Sequence, residues 1–409
     1  MVFDKLIPLG RAIELIKSCS PRIRDVEEVP VREALDRVLA ENIVALIDIP
    51  PYDRAAMDGY AVFSSDTIGA SPENPRILRI VGESDIGRPF GGSVGRGEAV
   101  YVHTGSQIPP GADAVVPVEF TDRSGHTLYV YISVSVGDNI SQRGEDFRVG
   151  EKILMRGERL TPQDISAIKA QGIKHIKVYR RPIVSVMACG DELVDDPEEL
   201  RPGKILEYSR EIVIGLARKY GCEVVDLGIC PDDRGAIEEN IRKAMEVSDV
   251  LITVGGTSIG RRDLIPRAIK NMGQIIFHGI SIQPGKPVCA GKIGEKFIVL
   301  GAPGLPVATY ICGITIMKTL IEHISNVARP IIQPRIRAKL SRKIWSKPGI
   351  RTFARVKIHI RDGEYVAEPI RISGSGILSS LIRGDGIVVV SEEMEGIDAG
   401  EYVDVILIR

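Results

Sequence analysis

From Arg181 to about Asn326 the chain alternates short apolar runs with segments of helical periodicity. The order is IVSVMACG, the helical IVIGLARKYG, CEVVDLG, the helical AIEENIRKAMEV, DVLITVGG, KPVCAGKI, FIVLGAPG and the helical VATYICGITIMKTLIEHI. Apolar runs without polar alternation must be buried on both faces. A helix between two such strands returns the chain to begin the next one in parallel. The expected product is a mostly parallel sheet covered by helices on both faces. In open sheets of this kind ligands sit beyond the carboxyl ends of the strands.

Those strand ends carry suggestive loops. VLITVGG opens into Gly255, Gly256, Thr257, Ser258, Ile259 and Gly260, with Asp263 before a helical segment from about Leu264. Glycines let backbone N–H groups approach a ligand, and a helix N-terminus adds positive potential, so such a loop suits phosphates and other oxyanions. The Asp263 carboxylate is positioned to hold a divalent cation against that phosphate. A tight strand-to-helix turn explains the same residues equally well. IVSVMACG ends in Gly190, Asp191 and Glu192, and two more acids, Asp232 and Asp233, follow another strand. Acids at such places are often helix caps. FIVLGAPG runs into Pro303, Gly304, Leu305 and Pro306, and Gln283-Pro284-Gly285-Lys286-Pro287 presents one lysine. Each element alone has a purely structural explanation. Together at one sheet edge, acids, glycine loops and a lysine describe a site for a phosphoanhydride and Mg²⁺.

The flanking segments differ in character. Up to residue 48 the periodicity is helical: Ala12, Ile13, Leu15 and Ile16, then Val31, Ala34, Leu35, Val38 and Leu39, with Pro30 suited to a helix start. Residues 49–145 are turn-rich and short-stranded, a β-rich insert. Thr161-Pro162-Gln163-Asp164 starts a helix that ends at Gly172 and is expected to pack back on the N-terminal helices. The expected organisation is a discontinuous helical domain (1–48 plus 146–180), the insert (49–145), the α/β domain (181–327) and a small β-barrel (328–409) with a hairpin through Asp362-Gly363.

A chain of 409 residues is long enough for several such units. Lys+Arg 53 against Asp+Glu 54 leaves a net charge of −1, so no global field points to nucleic acid or an anionic membrane. The six cysteines show no C-x-x-C pair, and reduced thiols in a cytoplasmic protein are expected. The start of the chain lacks a secretory-signal pattern. The apolar stretch Phe297 to Ile321 is broken by Gly301, Pro303, Gly304 and Pro306, which suits a buried strand, loop and helix better than a membrane span. The six histidines are dispersed and receive no role. In the insert, Met57-Asp58-Gly59-Tyr60, Thr104-Gly105 and Arg143-Gly144-Glu145-Asp146 read on their own as turns.

Taken in order, PPYDRAAMDGYAV, HTGSQIPPGADAVVPVE, GDNISQRGED, ACGDEL, LGICPDD, GGTSIGRRD, PGKP, GAPGLP, RTFAR and SGSGILSS resemble the molybdopterin molybdenumtransferases, the MoeA and gephyrin family, over nearly the whole chain. The resemblance implies an α/β multidomain fold: a MogA-like three-layer α/β domain, a split helical domain, a β-rich insert and a C-terminal small β-barrel. It implies a homodimer with an intersubunit active site. The implied reaction inserts molybdate or tungstate into adenylylated molybdopterin with release of AMP, using Mg²⁺. The molybdopterin adenylyltransferase is an implied partner.

By the same resemblance Asp58, Glu192, Asp232 and Asp263 are catalytic, and Asp263 and Glu192 hold Mg²⁺. Thr104, Asp146, Asp191, Gly255, Gly256, Thr257, Ser258, Gly260, Pro303, Gly304 and Pro306 bind the pterin-phosphate substrate. Lys286, Pro287, Arg355 and Ser375 bind the metal oxyanion, where cations and a hydroxyl make charge-assisted bonds. The chain departs from the family pattern at Gly279, Gln283, Leu305, Ala56 and Glu207-Tyr208-Ser209. Leu305, Gln283 and Gly279 motivate an alternative, a non-catalytic molybdopterin carrier or sensor. Molybdate and tungstate share charge and nearly share size, so the residues do not choose between them.

Overall fold

The structure, a computed structural model, describes residues 6–257, 264–295, 297–371 and 374–408. Its centre is a six-stranded sheet in the order Glu223–Cys230, Ile183–Cys189, Val250–Val254, Phe297–Ala302, Cys289–Ile293, Gln274–His278. The first four strands are parallel, and the last two are antiparallel additions at one edge. Side-chain alternation explains why these runs are apolar throughout. Val184, Val186, Ala188, Val250, Ile252 and Val254 enter one apolar layer with Val213, Ala217, Ile311 and Met317. Met187, Cys189, Leu251 and Val299 enter the opposite layer with Ile237, Ile241, Ile265 and Ile269. Each valine, leucine, isoleucine and methionine among them stabilises the fold by about 1.5–3 kcal/mol when fully buried. Helices Ser209–Lys219 and Pro306–Ile324 therefore cover one face, and Arg234–Val247 and Leu264–Met272 the other. The span Pro306–Ile324 is long and apolar enough to cross a membrane, but 67% of that window is buried inside the protein. It packs closely on Ser209–Lys219, because a Cβ on Gly313 would meet Leu216 Cδ1 at 2.4 Å.

The segments flanking the insert come together as strand pairs. Val26–Pro30 pairs antiparallel with His175–Tyr179, and Ile43–Val44 with Lys152–Leu154. Helix Pro162–Ala170 begins at the expected cap, Thr161, and Asp164 completes a capping box in which the two residues satisfy each other's backbone N–H groups. Its Ile168 packs with Val31, Ala34 and Leu39. Helix Leu9–Cys19 instead lays Leu9, Ala12 and Ile16 on the α/β core. The second expected helical run does not form. Val31–Glu33 is a single 3-10 turn, and Asp36 sits at a φ of 63°. The Asp36 and Leu39 N–H groups donate to Leu160 and Glu158 carbonyls far along the chain rather than to the preceding turn. Tertiary partners override the local helical pattern.

The insert is a six-stranded sheet from Gly59–Val62 to Thr127–Val130 around Tyr60, Val62, Leu78, Leu128 and Val130. Five C-terminal strands, Arg335–Leu340, Arg351–Arg361, Glu364–Arg371, Gly386–Val390 and Tyr402–Leu407, close into a barrel through the pairing of Arg351–Arg361 with Gly386–Val390. The Asp362-Gly363 turn has both residues at positive φ, 50° and 80°, as a two-residue hairpin requires. A short strand from the α/β segment, Ile282–Gln283, adds in parallel to the edge of Arg351–Arg361. This pairing sets the barrel beside the carboxyl ends of the central strands.

Candidate functional site

The strand ends, the short segment after Ile282 and one barrel loop enclose a cleft of about 800 Å³. Glu192, Asp232, Gly255, Gly256, Thr257, Lys286, Pro287, Pro303, Gly304 and Ser375 all line it. Sequence-distant loops thus meet where the alternation of strands and helices predicts a ligand. Gly255 is required here on two grounds. Its φ is 88°, and a Cβ would stand 2.6 Å from the Cys189 carbonyl oxygen. Its N–H donates to the Ala302 carbonyl at 3.0 Å, and Gly304 lies against its Cα. The two glycine loops are in direct backbone contact.

The acids are held by their own loops. Asp191 is exposed beside the cleft, and its carboxylate accepts the Asp232 N–H at 2.9 Å, tying one acid loop to the next. The Gly190 N–H donates to the Cys230 carbonyl at 3.2 Å, a second tie between the same loops. Lys286 is exposed. Its carbonyl accepts the Ile280 N–H at 3.0 Å, and the Gln283–Pro284 peptide before it is cis. The Ser375 carbonyl accepts the Val307 N–H at 2.9 Å, so the barrel loop caps the first turn of helix Pro306–Cys312, in which Pro306 is the first residue.

Sequence reasoning noted Glu207 only as a departure. The structure makes it a cleft-lining carboxylate whose side chain is 4% exposed. It accepts the Ser209 and Arg210 N–H groups at 2.8 and 2.9 Å, capping helix Ser209–Lys219. Burial pushes its pKa up, against the lowering effect of those two donors and of the Arg210 guanidinium. No spacing rule points a helix-capping glutamate into a cleft.

Several expected residues lie elsewhere. Arg355 is fully buried and is not among the residues that line the cleft. It donates from Nη1 to the Phe353 carbonyl at 3.1 Å, from Nε to Ser380 Oγ at 3.3 Å and from Nη2 to the Gly374 carbonyl at 3.4 Å. The residue before Ser375 is therefore held by a buried guanidinium. Asp58 and Thr104 are exposed on the insert, outside the cleft, and Thr104 lines a separate pocket of about 530 Å³ with Ser141 and Glu145. The Asp58 carboxylate is held below its usual range by the Thr104 backbone N–H and then by the Thr104 hydroxyl. Asp146 is exposed, and its N–H donates to the Ile49 carbonyl. Ser258, Gly260 and Asp263 lie outside the described residues. A cluster that sequence reading missed brings His103 Nε2 to 2.9 Å from Glu83 and 3.6 Å from Asp85.

Comparison with known proteins supplies the context for this geometry. Residues 7–172 match the MoeA N-terminal region (domain I and II), 185–323 a probable molybdopterin binding domain, and 337–408 the MoeA C-terminal region (domain IV). A molybdopterin molybdenumtransferase from Haemophilus influenzae is 32% identical, with 98% of each chain covered. One from Staphylococcus aureus is 31% identical over 100% of this chain and 97% of its own. The crystal structure of a molybdopterin biosynthesis moeA protein from Pyrococcus horikoshii OT3 superposes with a TM-score of 0.86 at 35% identity, covering 98% of this chain and 100% of that one. Motifs, domain matches and full-length superposition agree: the chain belongs to the MoeA family of molybdenum cofactor biosynthesis proteins.

Proposed function

We propose that this chain inserts molybdate or tungstate, as substrate, into adenylylated molybdopterin with release of AMP. The observation that carries this reading is the cleft, where acids from two strand ends, two glycine loops, Lys286 and the Ser375 loop face one volume. Backbone N–H groups of the glycine loop cradle the pterin-phosphate end. The Lys286 ammonium and the Ser375 hydroxyl receive the oxyanion, with Arg355 fixing the Ser375 loop from below. Glu192 and Asp232 orient the water or phosphate at the anhydride.

The cleft also suits Mg²⁺. Glu192, Glu207 and Asp232 put three carboxylates against one ammonium among the described lining residues, so an anionic ligand needs a cation between it and them. Hard oxygen donors of this kind select a hard divalent cation, and Glu192 and Asp232 are the residues to hold it. Bound there, it would neutralise phosphate charge.

Asp58, Thr104 and Asp146 belong to a different surface of the same chain. We assign them to the cleft of a second copy, in a homodimer whose site is completed across the interface. The test is AMP release from adenylylated molybdopterin by purified protein with Mg²⁺, run with each oxyanion in parallel. Release with either one, and its loss in Asp232→Asn, is the expected result. No release with both, from folded protein, overturns the reading.

A further inference from the structure

We propose that Cys189 and Cys230 are a reversible disulfide-forming pair in the wall of the cleft, a modification site for a peroxide-class oxidant. The pair is created by register. Strands Ile183–Cys189 and Glu223–Cys230 run parallel and end together, with Cys189 directly opposite Cys230. Neighbouring strands lie about 4.8 Å apart, inside the Cα separation a disulfide spans. Residues opposite each other point to the same face, and both cysteines enter the apolar layer with Met187, Ile237 and Ile241. The Cys230 thiol donates to the Pro231 carbonyl at 3.5 Å. Asn240 Nδ2 donates to the Cys230 sulfur at 3.5 Å.

Register singles this pair out. Cys189 belongs to the cleft wall, and its side chain lies in the apolar layer with Cys230. Cys289 stands opposite Gly301 rather than another cysteine, Cys222 and Cys312 are buried outside the strand pairs, and Cys19, the partly exposed one, ends helix Leu9–Cys19. The loops after Cys189 and Cys230 are already joined by the Gly190–Cys230 and Asp191–Asp232 hydrogen bonds. Closing the S–S bond therefore requires little backbone movement.

The chemistry balances with hydrogen peroxide. One thiol loses its proton and attacks a peroxide oxygen, forming S–OH and releasing water. The second sulfur displaces that hydroxyl, which leaves as water with the second thiol's proton. Two electrons pass from the two sulfurs to the peroxide. The product staples together the loops that carry Glu192 and Asp232. The pairing is independent of which ligand the cleft accepts.

The test treats the folded full chain with hydrogen peroxide, alkylates free thiols under denaturing conditions and maps the peptides by mass spectrometry. The expected result is a Cys189–Cys230 linked peptide, lighter by two hydrogens and lost on treatment with dithiothreitol, while the other cysteines remain alkylated. In Cys230→Ser the link disappears and Cys189 carries extra oxygen instead. Absence of the link in oxidised, folded wild-type protein overturns the proposal. So does irreversible oxidation of Cys189 with Cys230 still free, or linkage spread over other cysteine pairs.

Discussion

Asp58 Oδ1 accepts both the Thr104 backbone N–H, at 2.7 Å, and the Thr104 hydroxyl, at 2.8 Å. One residue thus supplies two donors to one carboxylate oxygen, which favours the anion and fixes its direction. Thr104→Val removes the hydroxyl and keeps the N–H. The Asp58 pKa should rise toward the ordinary aspartate value, as read by a carbon-13 NMR titration of the side-chain carboxyl. A lowered folded pKa contributes stability above the unfolded pKa and loses it as pH falls through the folded value. The variant should therefore show a weaker loss of stability at the acid end of a denaturation series. AMP release should slow roughly tenfold, the scale of one charge-assisted hydrogen bond. An unchanged titration would show that the hydroxyl does not act on Asp58.

Glu207 has the opposite sign. Its folded pKa is raised, so its contribution is fully present below the unfolded pKa and is lost as pH rises through the folded value. Glu207→Gln keeps an acceptor for the Ser209 and Arg210 N–H groups without the buried charge. Chemical denaturation at neutral pH should place it within about 1 kcal/mol of wild type, with a flatter profile on the acid side. Glu207→Ala removes the cap as well and should cost about 1–2 kcal/mol. Equal losses in both variants would mean that the charge itself stabilises the fold.

Gly255→Ala forces a Cβ into a left-handed position 2.6 Å from the Cys189 carbonyl oxygen. The expected cost is about 1–3 kcal/mol in denaturant unfolding. Ligand binding should weaken in addition, because the strand to be displaced ends at the cleft. Wild-type stability in this variant would contradict the close approach of the two loops.

Lys286 is exposed, so Lys286→Met should leave thermal unfolding within about 0.5 kcal/mol of wild type. Oxyanion affinity should nevertheless fall about tenfold or more by calorimetry with molybdate, with the substrate present. A loss confined to stability would make the lysine structural.

The architecture was legible wherever one short-range rule decided the outcome. Burial of strands on both faces leaves unbroken apolar runs such as Val250–Val254, and Thr161-Pro162-Gln163-Asp164 carries its own capping chemistry. Asp362-Gly363 likewise encodes its hairpin. Where long-range partners decide, the pattern misleads. Val31 to Leu39 has helical spacing, yet its backbone is claimed by residues more than a hundred positions later. The meeting of acids, glycines and Lys286 was readable from strand order. The burial of Arg355, the turn of Glu207 into the cleft and the opposition of Cys189 to Cys230 each depend on register or barrel closure, which no local spacing records.

The two-residue pairing of Ile282–Gln283 with Arg351–Thr352 makes the barrel something other than a detachable module. Excising it would orphan the backbone of the segment that leads into Lys286 and strip the cap from the helix beginning at Pro306. Domain shuffling could not replace this barrel with an unrelated one unless the newcomer offered a free edge in the same register. The lysine's address is thus written jointly by two domains, and inheritance of one is expected to demand inheritance of the other.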